Sequence, residues 1–126
     1  NDISERSWQK ERGGQWVKGK SIAGPCGPYL VTKDEIKDIN NINLSLDVNG
    51  ERRQTGNTKR MIFSFDFLIS HISQFMTLYP GTIITTGTPA GTAMEMSKPK
   101  FLQNGDKLSL KVDFLGEQNQ LIVEYN

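Results

Sequence analysis

Among its 126 residues the chain has one cysteine, Cys26, and one histidine, His71. A lone thiol excludes an intrachain disulfide and suits a reducing cytoplasm. One Cys and one His also leave no zinc-ligand spacing and no Ser-His-Asp set. Charge of one sign is lacking too. Lys and Arg total 15 against 14 for Asp and Glu, a near-balance that argues against nucleic acid or a membrane surface as partner. No apolar run approaches the roughly 20 residues of a membrane span. The hydrophobic share of 36% is enough for a core, and the length fits one domain.

What is present reads as mainly β with one substantial helix, an α+β arrangement. Ile42, Leu44, Leu46 and Val48 alternate with polar residues and run into Asn49-Gly50, a hairpin signal because both turn positions need positive φ. The return strand is expected over 51–55, with a bend at Gly56-Asn57-Thr58. Phe65, Leu68, Ile69, Ile72, Phe75 and Met76 recur at helical spacing behind Ser64 as N-cap, and Pro80-Gly81 closes that segment. A short β-branched strand is expected over 82–86. Leu108, Leu110, Val112 and Phe114 alternate as a further strand, with a turn at 116–119 and a return strand at Leu121-Ile122-Val123. Near the start, Asp2 or Ser4 is expected to cap a short helix that ends at Gly13-Gly14.

Several residues could carry chemistry. Asp2 is either an N-cap or a hard oxygen ligand for a divalent cation. Lys20 heads a Gly/Pro-rich loop, where its ammonium is either solvated or neutralises a substrate carboxylate or developing enolate. Thr86-Gly87-Thr88-Pro89-Ala90-Gly91 offers hydroxyls and closely approachable backbone N–H groups, or is an ordinary turn. His71 lies inside the helix beside Leu68 and Phe75 and is assigned to packing. Cys26 is expected to be inert and buried.

Taken in order, these segments resemble a known family. Asn1-Asp2-Ile3-Ser4-Glu5-Arg6 with Gln9, then Trp16 followed by Gly19-Lys20-Ser21, resemble two signature segments of the fumarylacetoacetate hydrolase family. So do Val48-Asn49-Gly50-Glu51 with Arg53-Gln54, Asn57-Thr58 and Met61-Ile62-Phe63. Pro80-Gly81-Thr82-Ile83-Ile84 leading to Thr86 through Gly91 completes the match, which covers nearly the whole chain. Two positions depart from the family pattern: Ile22-Ala23-Gly24 follows Gly-Lys-Ser where a hydroxyl or carboxylate is common, and Thr82 replaces an Asp.

The resemblance implies a mixed β-roll or β-sandwich fold, a cytoplasmic homodimer, and one divalent cation, magnesium with manganese or calcium as alternatives. It makes Asp2 a metal ligand, places Gln9, Lys20 and Thr88 at the substrate, and gives Lys20 a catalytic part. The other metal ligands, a Glu-x-Glu pair, and a His-Glu pair that activates water belong upstream, so residues 1–126 are expected to be the C-terminal portion of one catalytic domain. The implied activity is that of a metal-dependent hydrolase, isomerase, decarboxylase or lyase of keto acid catabolism. It would cleave or rearrange a C–C bond in a small 2-keto, acylpyruvate-like acid through an enolate held at the metal. The alternative is a non-catalytic β-rich binding or scaffold domain.

Overall fold

A computed structural model describes residues 1–10, Gly19 and residues 24–124. The described residues form a mostly antiparallel β structure with few helices, as the sequence patterning implies. In chain order the elements are α1 (Arg6–Lys10), β1 (Asn43–Val48), β2 (Glu51–Asn57), α2 (Phe65–Ser73), β3 (Lys107–Val112) and β4 (Gly116–Leu121), with 3-10 turns at Lys33–Glu35, Thr58–Arg60 and Ala93–Glu95. The strands make one sheet in the order β2-β1-β3-β4, antiparallel throughout.

The hairpin forms where alternation and Asn-Gly place it. Asn49 and Gly50 both take positive φ, 53° and 80°, as a two-residue turn between right-twisted strands requires. The return strand runs two residues further than expected, to Asn57, and the bend follows as the 3-10 turn. Thr58 holds that end by accepting from the Ile42 N–H at 2.9 Å and donating to the Ile39 carbonyl at 2.8 Å.

Register decides which side chains share a face. Leu44, Leu46 and Val48 stand opposite Val112, Leu110 and Leu108, so one face of the sheet is apolar. Ile42, Val48 and Leu108 are the buried apolar residues of the described core. The other face is polar: Asp47 pairs with Arg52, and Lys111 reaches Glu117 at 3.1 Å. This one-sided patterning is characteristic of an antiparallel sheet that covers a core with one face and meets water with the other.

Three local expectations need correction. The turn between β3 and β4 falls at Asp113-Phe114-Leu115, not at 116–119, with Phe114 at φ 67°. Glu117, Gln118, Asn119 and Gln120 look like a turn by composition but form an edge strand, where polar side chains are common. Residues 82–86 form no strand, and Ile83 is 72% exposed. β-branched residues favour a strand only where a neighbour pairs with it, and no described strand lies beside this segment. Thr82 instead closes the Pro80-Gly81 turn, its hydroxyl accepting from the Tyr79 N–H at 3.1 Å. Finally, α1 is capped by Glu5, not by Asp2 or Ser4: the Glu5 carboxylate accepts from the Ser7 N–H at 2.7 Å. Gly13-Gly14 lies outside the described residues.

Helix α2 starts as expected, with the Ser64 hydroxyl accepting from the Phe67 N–H at 3.2 Å. None of its residues is fully buried. Phe63, Phe67, His71 and Phe75 stack in a ladder along one side, with successive ring centroids 4.8, 5.9 and 5.1 Å apart.

Candidate functional site

Two segments bearing candidate residues lie on the apolar face of the sheet. The first is the amino-terminal stretch. Leu108 and Leu110 stand opposite Gln120 and Gln118 on β4, so both glutamines point to the apolar face. Gln120 accepts from the Asn1 side-chain amide at 2.7 Å and donates to Gln118 at 2.8 Å. Gln118 in turn donates to the carbonyl of Gly27, and the Asn1 backbone nitrogen donates to the Pro25 carbonyl at 2.9 Å. This relay pins the chain just before Asp2 to β4. A cleft of about 250 Å³ lies beside it, lined by Asn1, Pro25, Cys26, Leu110, Val112 and Gln118 among others. Cys26 is exposed, contrary to expectation. The carbonyls on either side of it, of Pro25 and Gly27, both accept from the Gln118 amide.

Asp2 is exposed and has a partner of its own. Gln9, one turn into α1, is the most enclosed polar side chain described, 2% exposed. Arg6 donates to its Oε1, while its Nε2 is buried and meets no acceptor among the described residues. A buried donor left unsatisfied is costly and is normally matched by protein, water or ligand. Gly19 makes this enclosure possible. Its N-terminal neighbour in space is Glu5, whose N–H it accepts at 2.9 Å, and a Cβ on Gly19 would fall 2.7 Å from the Gln9 Cβ. Lys20 lies outside the described residues.

The second segment is the loop from Thr86 to Gly91. It lies against β2, whose Gln54 stands opposite Leu46 and so shares the apolar face. The Gln54 amide donates to Thr88 Oγ1 at 2.8 Å and to the Pro89 carbonyl at 2.7 Å. Gly56 lets Pro89 close on the strand, since a Cβ there would lie 3.0 Å from the proline ring. Past the loop, Glu95 accepts from the N–H groups of Gly91 and Thr92 at 2.7 and 2.9 Å. Those donors, Gly91 first and then Thr92, hold its carboxyl below the ordinary value of 4.5.

Gln9 thus packs on Gly19, Gln54 holds Thr88, and the sheet carries the Asp2 and Thr88 segments on one face. Their anchors sit on its two outer strands, three strand spacings or roughly 14 Å apart. His71 stacks on Phe67 and meets Phe75 edge-on, on the exposed side of the helix. Gln54 stands in one of the motif segments but with no role assigned to it, and Gln118 and Gln120 were not singled out by type or spacing. Only strand register reveals that they face the site.

Among the described residues no three His, Cys, Asp or Glu side chains cluster as a metal site. Asp2 fits a hard cation as one oxygen ligand of a larger set, not as a complete site.

Residues 1–123 match the family described as fumarylacetoacetate (FAA) hydrolase C-terminal. The chain is 50% identical over 123 residues to a Burkholderia ambifaria protein with a provisional hydrolase name, covering 95% of this chain and 44% of that one. It thus spans under half the length of such curated relatives. Among solved structures, fumarylacetoacetate hydrolase from Exiguobacterium antarcticum aligns with a TM-score of 0.91 at 36% identity, covering 99% of this chain and 45% of that one. Maleylpyruvate hydrolase from Sphingobium sp. SYK-6, in complex with manganese(II) and pyruvate, aligns with a TM-score of 0.71 at 32% identity, covering 79% of this chain and 35% of that one.

Proposed function

The chain belongs to the fumarylacetoacetate hydrolase family, and from that premise we propose that it is the C-terminal portion of a divalent-metal-dependent enzyme that cleaves or rearranges a C–C bond in a small 2-keto acid. Asp2 contributes one carboxylate to a cation, magnesium or manganese, whose remaining ligands come from outside residues 1–126. When bound, that cation supplies Lewis-acid polarisation of the substrate's oxygens.

The residues of this chain do the rest. Gln9 Nε2, the buried donor without an acceptor, gives its hydrogen to a substrate carboxylate oxygen. Thr88 donates its hydroxyl hydrogen to a second substrate oxygen. When the C–C bond breaks, its electrons remain as an enolate, and the Lys20 ammonium neutralises that charge. Hydrolysis, decarboxylation and isomerisation share this intermediate, so the family alone does not select among them. The working protein is a homodimer of the cytoplasm.

The observation that carries this reading is the orphaned amide of Gln9 on the same segment as Asp2, in a chain whose relative binds manganese and pyruvate. The test is turnover of acylpyruvate-type acids by the full-length protein across magnesium and manganese titrations. Metal-dependent turnover that Gln9→Met weakens mainly through KM supports the assignment. Failure to turn over or bind any 2-keto acid with either metal would favour a binding or scaffold domain.

A further inference from the structure

Register places Gln54 opposite Leu46, and Arg53 beside it is left without a partner on β1, because the pairing shifts between Leu46 and Asp47. Such a bulge re-aims the side chains next to it. From this position one nitrogen, Gln54 Nε2, meets two oxygens of the loop, Thr88 Oγ1 at 2.8 Å and the Pro89 carbonyl at 2.7 Å. A carbonyl oxygen can only accept, so the Pro89 contact fixes which end of the amide faces the loop. The second amide hydrogen then goes to Thr88 Oγ1, which must accept it. A hydroxyl that accepts on one side keeps its own hydrogen to give elsewhere. Its other contact, the Pro89 carbonyl at 3.3 Å, is long for an O–H···O bond and yields readily to a better acceptor. A carboxylate or enolate oxygen is such an acceptor.

We propose that Gln54 is a positioning residue: it sets the polarity of the Thr88 hydroxyl so that its hydrogen is directed at the substrate. The proposal rests on the assignment of Thr88 to the substrate made above. The backbone supports the lock independently of Gln54, since Gly56 receives Pro89 and Gly91 receives the Arg53 carbonyl at contact distance. Gln54 thus contributes the orientation of the hydroxyl more than the existence of the loop.

The experiment uses the full-length protein at pH 8 with manganese, and pyruvate as the probe 2-keto acid, with affinity measured by calorimetry. Gln54→Glu replaces the donor by an acceptor, so Thr88 must turn its hydrogen toward the strand. Gln54→Met keeps the length but loses both N–H groups, and a melting curve of each variant reports folding. Loss of a hydrogen bond to a charged group predicts that Gln54→Glu and Thr88→Val each weaken pyruvate binding by about tenfold or more, with Gln54→Met between them and wild type. If Gln54 acts through Thr88, the double variant Gln54→Glu/Thr88→Val binds no more weakly than Thr88→Val. Losses that multiply in the double variant, or wild-type affinity in Gln54→Glu, overturn the proposal. Should Thr88→Val bind pyruvate normally, the substrate assignment of Thr88 is what fails. Proton NMR of the Gln54 side-chain amide then judges the contact alone: amide signals that move in Thr88→Val uphold it, and unmoved signals overturn it.

Discussion

Gly91 lies so close to the carbonyl of Arg53 that a Cβ on it would fall 2.0 Å from that oxygen. Its φ of 106° is also one that other residues rarely adopt. Gly87, four residues earlier, has a similar φ of 98° but open space around it. The pair separates backbone strain from steric closeness. Gly87→Ala should cost about 1–2 kcal/mol from strain alone. Gly91→Ala adds a clash with backbone that cannot swing away, a further ~1–3 kcal/mol of overpacking. Denaturant unfolding of the two variants measures the difference; equal losses would mean that the loop is not seated on β2 as described.

A second prediction follows from Glu95, whose two backbone donors tie the end of the loop. A carboxyl held below its unfolded value adds stability above that value and loses it as pH falls through the native one. The loss therefore falls below pH 4.5, the ordinary value for this group. Asp47, Asp106 and Glu117 are lowered in the same direction, led respectively by hydrogen bonds from Arg52, the Gln103 backbone and Ser109. Wild type should lose melting temperature as pH falls from 5 toward 3, and Glu95→Gln should show a shallower fall over the same range. Parallel curves would remove Glu95 from the explanation.

Asp2→Asn tests the metal reading in the full-length protein. It keeps size and hydrogen bonding but removes a negative charge from a site that depends on charge. Metal affinity should drop by roughly 10- to 100-fold, the range seen when the support of a metal site is damaged, and turnover should recover in part at high manganese. His71→Gln, on the helix ladder, should leave turnover almost unchanged. Normal metal-independent turnover in Asp2→Asn with an inactive His71→Gln would move the chemistry to the helix.

How far the sequence could be read depended on whether a signal was local. The Asn49-Gly50 turn and the Ser64 cap need only neighbouring residues, and both formed where composition places them. The strand expected at 82–86 depends on a partner, and β-branched composition cannot report whether one is present. Composition points to a turn at 116–119, where the structure has a strand, because the same polar residues serve turns and edge strands. The motif segments pointed to Asp2, Gln9 and Thr88 as a set. They could not reveal Gln54 as the group that holds Thr88, because that contact depends on a bulge and on register 34 residues apart in sequence.

The last prediction concerns the surface around α2. Phe63, Phe67 and Phe75 are 51%, 49% and 75% exposed, which at ~200 Å² per phenylalanine leaves roughly 350 Å² of aromatic surface in water. Ile62, Ile69, Met76, Tyr79 and Ile83 are exposed as well, taking the apolar area well past the few hundred Å² of a typical monomer patch. On the helical wheel the apolar arc of α2 spans both Leu68 and Ile72, which are half-buried, and the ladder, which is not. A one-sided surface helix needs an apolar stripe only a little over 100° wide; this arc is wider, so a second body is expected to cover the ladder. Residues 1–126 made alone should therefore self-associate, with the light-scattering mass rising with concentration. Phe67→Lys with Phe75→Lys should reverse that without lowering the melting temperature, since neither ring supports the sheet. A monodisperse monomer of the unaltered 126 residues, unfolding in one cooperative transition, would mean that the exposed ladder is tolerated as it stands.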